Sequence, residues 1–232
     1  MAKGRQLEQA GDRRQPEQPE GQPLRQRGRP RAAASGCAAQ RGAGGSGSGA
    51  PPAGLPRLAV LVGLPGSGKS TFARALEASG WWDRICQDEC GSRTAAEAAF
   101  TAALLRDPPA GSRRRPVVLD RCSPDAADRR SWLDLALIGR RDKGIVAVFF
   151  DVDAATCKQR VAARTDHPTI PHGRGRRIVD SFAARLQLPT AVEGFERVYT
   201  LRSTDDAEAL LTAWGAGGLL MVDDEGEEGL LE

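Results

Sequence analysis

Residues Gly63-Leu64-Pro65-Gly66-Ser67-Gly68-Lys69-Ser70-Thr71 constrain the chain more than any other stretch. They follow an apolar run, Leu58 to Val62, and precede a helix-forming run, Phe72 to Leu76. The pattern is G-x-x-x-x-G-K-S, a loop that holds phosphate. Gly63, Gly66 and Gly68 let the backbone take conformations closed to residues with a Cβ, so successive N–H groups turn toward one anion. The helix that begins near Lys69 adds unpaired N–H groups and the positive end of its dipole. Lys69 brings a mobile positive charge to the β/γ-phosphates of a nucleotide, and the Ser70 hydroxyl is the usual inner ligand of Mg²⁺. A glycine-rich turn arising by chance lacks this strand before, helix after and complete Gly-Lys-Ser-Thr ending.

The 232 residues allow one or at most two domains. A net charge of +3 conceals an uneven distribution. Lys3, Arg5, Arg13, Arg14, Arg25, Arg27, Arg29, Arg31 and Arg41 make the beginning basic, and Asp223, Asp224, Glu225, Glu227, Glu228 and Glu232 make the end acidic. Residues 1–56 carry almost no large apolar side chains, cannot bury enough surface to offset chain entropy, and read as a disordered basic, Ala/Gly/Pro-rich arm. Such an arm is either simply solvated or holds a polyanion or a nuclear-import signal. Residues 57–214 read as the folded domain and 215–232 as a flexible acidic tail. The start lacks the apolar core of a secretory signal, and no stretch approaches the length of a membrane span, so an intracellular protein is expected, in the nucleus, the cytoplasm or both. Five cysteines (Cys37, Cys86, Cys90, Cys122, Cys157) then read as free thiols without a disulfide framework. Cys86 and Cys90 are spaced like metal ligands, but no matching Cys or His pair follows.

Apolar runs alternate with helical ones through the folded part. Strands are expected at Leu58–Val62, Trp82–Gln87, Pro116–Asp120, Ile145–Phe150 and Arg197–Leu201. Helices are expected after the phosphate loop to Ser79 and over Thr94–Arg106, Pro124–Ile138 with Ser123 as cap, Ala154–Arg164 and Asp205–Trp214. Strands apolar throughout and alternating with helices imply an α/β protein: a P-loop three-layer sandwich whose five-stranded parallel sheet carries helices on both faces. Ligands of such sheets bind where the strands end.

The residues leaving each strand therefore carry the chemistry. Gln87-Asp88-Glu89 leave the second strand, Asp120-Arg121-Cys122 the third and Asp151-Val152-Asp153 the fourth, all toward the rim that holds Lys69. Asp120 stands where a magnesium carboxylate is found after a phosphate loop, or caps a helix. Asp88 can accept a proton from a substrate hydroxyl as general base, or serves as a turn residue. Arg160 and Arg164 lie four apart on one helix face, suited to neutralising charge on a transferred phosphoryl group or to an exposed amphipathic surface. His167 and His172 share a Pro/Gly-rich stretch and read as loop residues.

The set GLPGSGKSTF, ICQDECGSR, VVLDRCSPDAADRRSWLDLA, VFFDVDAATCKQRVAART and LPTAVEGFERV resembles the kinase domain of polynucleotide 5′-hydroxyl kinase/phosphatases. It is also similar to the kinase-type domain of plant and algal aprataxin-like proteins. The resemblance spans the folded part in the family order. It implies ATP and Mg²⁺ as cofactors, held by the phosphate loop from Gly63 to Thr71, with Ser70 and Asp120 at the metal. It implies Asp88 as the aspartate that activates a 5′-hydroxyl, and Arg160 and Arg164 on the lid segment that holds the ATP phosphates. It places Gln87, Arg93, Arg121, Arg129 and Arg130 on the side that meets nucleic-acid 5′-OH ends, with DNA repair as the setting. Arg121-Cys122-Ser123 stand where mammalian members have Asn-Thr-Asn, and Gln87 replaces a basic residue of some relatives. No D-x-D-x-T phosphatase motif precedes the kinase and no H-x-H-x-H motif follows, so a kinase module standing alone is expected. Two other readings remain: a small-metabolite kinase of the gluconate or shikimate kind, and a nucleotide-binding module without catalysis.

Overall fold

The computed structural model describes residues 52–108, 110, 112–137, 144–163 and 174–220. Most of the basic arm, Arg164, His167, His172, the end of the helix predicted to Ile138 and the acidic residues of the tail lie outside the described residues.

β1 (Leu58–Gly63) is a run of apolar residues with no solvent exposure from Leu58 to Val62. It leads through the glycine loop into α1 (Lys69–Ala78). β2 (Asp83–Cys86) continues without a break into a four-residue helix, α2 (Gln87–Cys90), and then α3 (Arg93–Leu105). β3 (Val117–Asp120), α4 (Ala126–Leu137), β4 (Ile145–Phe150), α5 (Ala154–Ala163) and α6 (Gly175–Ala183) follow. A 3-10 turn at Ala191–Glu193, β5 (Arg197–Leu201) and α7 (Thr204–Ala213) complete the order. All strand pairings are parallel, in the order β2-β3-β1-β4-β5. β1 is central, paired Leu58↔Val117 on one side and Leu58↔Ile145 on the other.

Because successive strand residues point to opposite faces, β1 divides its side chains between two cores. Leu58, Val60 and Val62 join Phe100, Ala103 and Leu104 of α3 and Trp132, Leu133 and Ala136 of α4. Ala59 and Leu61 join Phe72 and Leu76 of α1, Leu210 and Leu211 of α7, and Trp214. Trp82 and Trp214 stack with ring centroids 5.0 Å apart. Helices therefore cover both faces of a five-stranded parallel sheet, as the alternating pattern predicts.

Several boundaries differ from the sequence reading. α4 starts at Ala126, and the oxygen that caps it is Oδ1 of Asp125, which accepts from Asp128 N–H at 2.8 Å. Ser123, the expected cap, precedes a proline, which disfavours helical backbone there, and takes a left-handed φ of 44°. The helices α2 and α6 were not expected. The packed part of the chain also exceeds residues 57–214: Leu55, Leu219 and Leu220 pack on the α1/α7 core and Ala216 is buried within it. Cys86, Cys122 and Cys157 are free thiols, but Cys90 is disulfide-bonded. That corrects the expectation of free thiols throughout; Cys90 ends α2 and is half-exposed. Among the described residues no helix is long and apolar enough to cross a membrane.

Candidate active site

Gly63, Gly66 and Gly68 have φ of +152°, +86° and +97°. The requirement is sharpest at Gly66, where a Cβ would stand 2.7 Å from the Cys157 carbonyl oxygen and 2.8 Å from Val161 Cγ2 of α5. At Gly68 a Cβ would meet nothing, and the left-handed backbone alone favours glycine there. Gly68 is the N-cap of α1, and no side chain caps that end. The first-turn N–H groups of α1 thus lie where an anion is welcome. Leu64 anchors the loop from outside by packing with Cys157 and Val161 of α5 and Val179 of α6.

Lys69 is buried, and its Nζ donates to the Leu64 carbonyl at 2.6 Å and to Ser67 Oγ at 3.1 Å. A primary ammonium with three donors and a flexible stem can exchange such contacts for phosphate oxygens. Ser70 Oγ donates to Asp120 Oδ1 at 3.1 Å. A hydroxyl beside a buried carboxylate is the oxygen-only donor set that Mg²⁺ prefers, so Ser70 and Asp120 fit that ion and could hold it.

The second oxygen of Asp120 is held by a residue that the motifs did not reveal. Nε and Nη2 of Arg84 in β2 donate to Asp120 Oδ2 at 2.9 and 2.7 Å. The same guanidinium forks onto Glu89 of α2 at 3.1 and 2.8 Å. The signal was present as a charged pair, Asp83-Arg84, in a strand whose every position is buried. Burial opposes the charge of Arg84, but Asp120 and Glu89 outweigh it and raise its pKa further above the ordinary range.

Asp88 is exposed on α2, one residue from Glu89. Cys122 lies just past β3. Burial raises its thiol pKa foremost; Lys69 and Arg121 pull it down, and Asp120 and Asp88 push it up. Lys69 and Arg160 act in the same lowering sense on Cys157, whose pKa burial raises. The register Cys86↔Asp120 places Asp120 and the neighbouring α2 residue Asp88 at the same end of adjacent strands, the Ser70–Asp120 bond ties that end to the phosphate loop, and Arg160 lies on α5, whose Cys157 carbonyl faces Gly66. The backbone joins the two sides, since Gly63 N–H donates to the Cys122 carbonyl at 3.1 Å.

The other basic residues separate into groups. Arg93 and Arg121 meet at Asp128, 3.3 and 3.1 Å away, and both guanidiniums lie over the Trp132 ring, 5.6 and 5.2 Å from its centroid. Arg93 also bonds Glu97 and Ser131. Gln87 stands at the start of α2 with its Oε1 buried and without a hydrogen-bond partner. Arg130 faces solvent and pairs with Asp134 one turn on, away from this group. Arg129 is not presented to a ligand at all: it is fully buried, forks onto Glu193 at 2.6 and 2.8 Å, and donates to the carbonyls of Ser123, Pro124 and Gln187. Its expected place on the nucleic-acid side is thus corrected. The Arg129-Arg130 pair looks basic in sequence, but the helix turns its first member into the core and its second outward. Arg164 lies outside the described residues.

Comparison with known proteins decides the family, since the AAA domain model matches residues 58–189, more than half of the chain. The chain belongs to the AAA domain family. This AAA domain is 27% identical over 144 residues to the bifunctional polynucleotide phosphatase/kinase of Schizosaccharomyces pombe, covering 61% of this chain. The chain spans about a third, 32%, of that relative's length. Among solved structures, a fungal RNA kinase is similar with a TM-score of 0.50 and 19% identity, over 67% of this chain and 81% of that one. A gluconokinase from Sinorhizobium meliloti 1021 has a TM-score of 0.46 and 20% identity, over 70% of this chain and 91% of that one. The AAA domain thus has the fold of a P-loop kinase and its nucleotide-binding loop.

Proposed function

We propose that this AAA domain transfers the γ-phosphoryl group of ATP to a hydroxyl, and that the hydroxyl is the 5′-OH end of DNA or RNA. The observation that carries the reading is the 3.1 Å bond from Ser70 to Asp120 beside the phosphate loop that holds Lys69, with Asp88 leaving β2 just past Cys86, the register partner of Asp120. One positive charge and two carboxylates on separate strand ends are what a phosphoryl transfer to a hydroxyl needs. Lys69 and the N–H groups of the loop hold the nucleotide's phosphates, and Ser70 with Asp120 would hold Mg²⁺. The metal, when bound, supplies charge neutralisation to the phosphate oxygens. Asp88 accepts the hydroxyl proton as the acceptor oxygen bonds to the γ-phosphorus, and the bond from that phosphorus to the β–γ bridging oxygen breaks to release ADP. Arg160 offsets the charge that grows on the transferred group and on the leaving oxygen.

The resemblance to the Schizosaccharomyces pombe phosphatase/kinase supports a polynucleotide acceptor. So does the exposure of Asp88, because a base at an open surface suits the end of a long chain better than a small enclosed metabolite. The test offers labelled ATP with 5′-OH DNA and RNA oligonucleotides and a panel of small hydroxyl metabolites. Label in the oligonucleotides, lost on the order of 10²–10⁴-fold in Asp88→Asn at unaltered nucleotide affinity, is the expected result. Label in a metabolite alone refutes the polynucleotide acceptor, and a rate within a few-fold of wild type in Asp88→Asn refutes the base.

A further inference from the structure

Arg84 is the most heavily engaged side chain near the phosphate loop, and the transfer chemistry described above gives it no task. Its side chain is 3% exposed, yet it makes four hydrogen bonds to two carboxylates and lies 3.7 Å from a third, Glu77. A buried guanidinium is costly, and a strand position of this kind takes an apolar residue more cheaply where packing is the only demand. What an arginine supplies is geometry: a planar fork that fixes two oxygens at once. Here one edge of the fork takes Asp120 Oδ2, which turns Oδ1 toward the Ser70 hydroxyl. Another takes both oxygens of Glu89, the neighbour of Asp88 on α2. α2 has only four residues and no fully buried side chain; Cys90 at its end packs against the core and is disulfide-bonded, and the fork onto Glu89 fixes the turn that bears Asp88.

We propose that Arg84 is a positioning residue which locks the metal-side carboxylate of Asp120 and the acceptor-side helix bearing Asp88 into one fixed relation. The proposal rests on the reading of Asp88 and Asp120 under Proposed function. The nucleotide end and the acceptor end of the site are set by one guanidinium, and distortion at either end reaches the other through it. Lysine keeps the charge but cannot fork, so Arg84→Lys separates geometry from electrostatics.

The experiment uses the full chain as wild type, Arg84→Lys, Glu89→Gln and the double variant. Binding of a fluorescent methylanthraniloyl-ADP is measured in EDTA and across a Mg²⁺ titration, beside transfer to a 5′-OH oligonucleotide. For Arg84→Lys, affinity in EDTA stays within about two-fold, the Mg²⁺ needed for half-maximal effect rises about ten-fold, and turnover falls about 100-fold, the range set by partners that orient metal ligands. For Glu89→Gln the Mg²⁺ requirement stays unaltered and turnover falls about ten-fold. The double variant is no slower than Arg84→Lys, because the link is already cut. A Mg²⁺ requirement within two-fold of wild type in Arg84→Lys overturns the proposal, as does a double variant whose loss is the product of the two. If Arg84→Lys fails to fold, Glu89→Gln decides, its carboxylate being 37% exposed, and wild-type turnover there overturns the proposal. If the wild type phosphorylates no hydroxyl, the transfer reading fails, and the Mg²⁺ titration alone decides whether Arg84 orients Asp120.

Discussion

Replacing Arg129 with methionine distinguishes a structural arginine from a substrate contact. The guanidinium is fully buried and makes five hydrogen bonds, two to Glu193 and three to backbone carbonyls. Removing one member of a buried pair costs about 3–5 kcal/mol, because the partner keeps its charge without compensation. Glu193 is not wholly abandoned, since Oε1 also accepts from Thr190 N–H at 3.0 Å and its side chain is 14% exposed. The lower part of that range applies, about 3–4 kcal/mol, and for a domain of this size it lowers Tm by about 6–16 °C. Adding Glu193→Gln removes the stranded charge and keeps the acceptor for Thr190, so the double variant should regain about half of the loss. Scanning calorimetry of the three proteins, beside oligonucleotide binding across a salt series, measures both sides of the question. A Tm within about 2 °C of wild type, with weaker and less salt-sensitive binding in Arg129→Met, would refute the structural assignment.

Three further outcomes follow from distances and charges in the site. Gly66→Ala should abolish nucleotide binding and cost about 1–3 kcal/mol in denaturant titrations, because its Cβ would press within 2.8 Å of α5 on a left-handed backbone; binding within two-fold of wild type would refute the close fit. Burial, with Asp120 adding to it, pushes the Cys86 thiol up to about 11. At pH 8 about one thiol in a thousand is then thiolate, so iodoacetamide should label Cys86 far more slowly in the folded protein than in urea, and equal rates would contradict the burial. The hydrogen bond from Arg185, followed by that from Asp128 N–H, lowers the Asp125 carboxyl below its usual value of 3.8. The stability it lends is therefore present above that value and lost as pH falls through the lowered one. A Tm difference between wild type and Asp125→Asn should accordingly shrink as the pH falls below 3.8, and a constant difference would refute the link.

The phosphate loop and the alternation of strands and helices were legible because each rests on a local signal. Glycines at fixed offsets mark the loop, and unbroken apolar runs mark strands covered on both faces. What was missed rests on contacts between distant residues. Arg84 interrupts an apolar strand and has no meaning until Asp120 and Glu89 arrive from other elements. α2 is three polar residues and a cysteine without periodicity, and α6 begins among arginines that read as loop. Ser123 and Asp125 are both good caps by residue type, and the choice falls to the backbone around Pro124. Arg129 and Arg130 differ only in which side of α4 they occupy, which the helix's weak amphipathic pattern did not make plain.

The central place of β1 sets the order in which the molecule comes apart. β5 lies at one edge and is half-exposed along most of its length, whereas β1 is bonded on both sides and covered by both cores. Amide protons of β1 should exchange last, only on global opening, and those of β5 early through local fraying. A chain that has lost its edge therefore still carries an intact strand and loop for a nucleotide. On heating or partial proteolysis the capacity to bind nucleotide should outlast the pairing of β5 with β4.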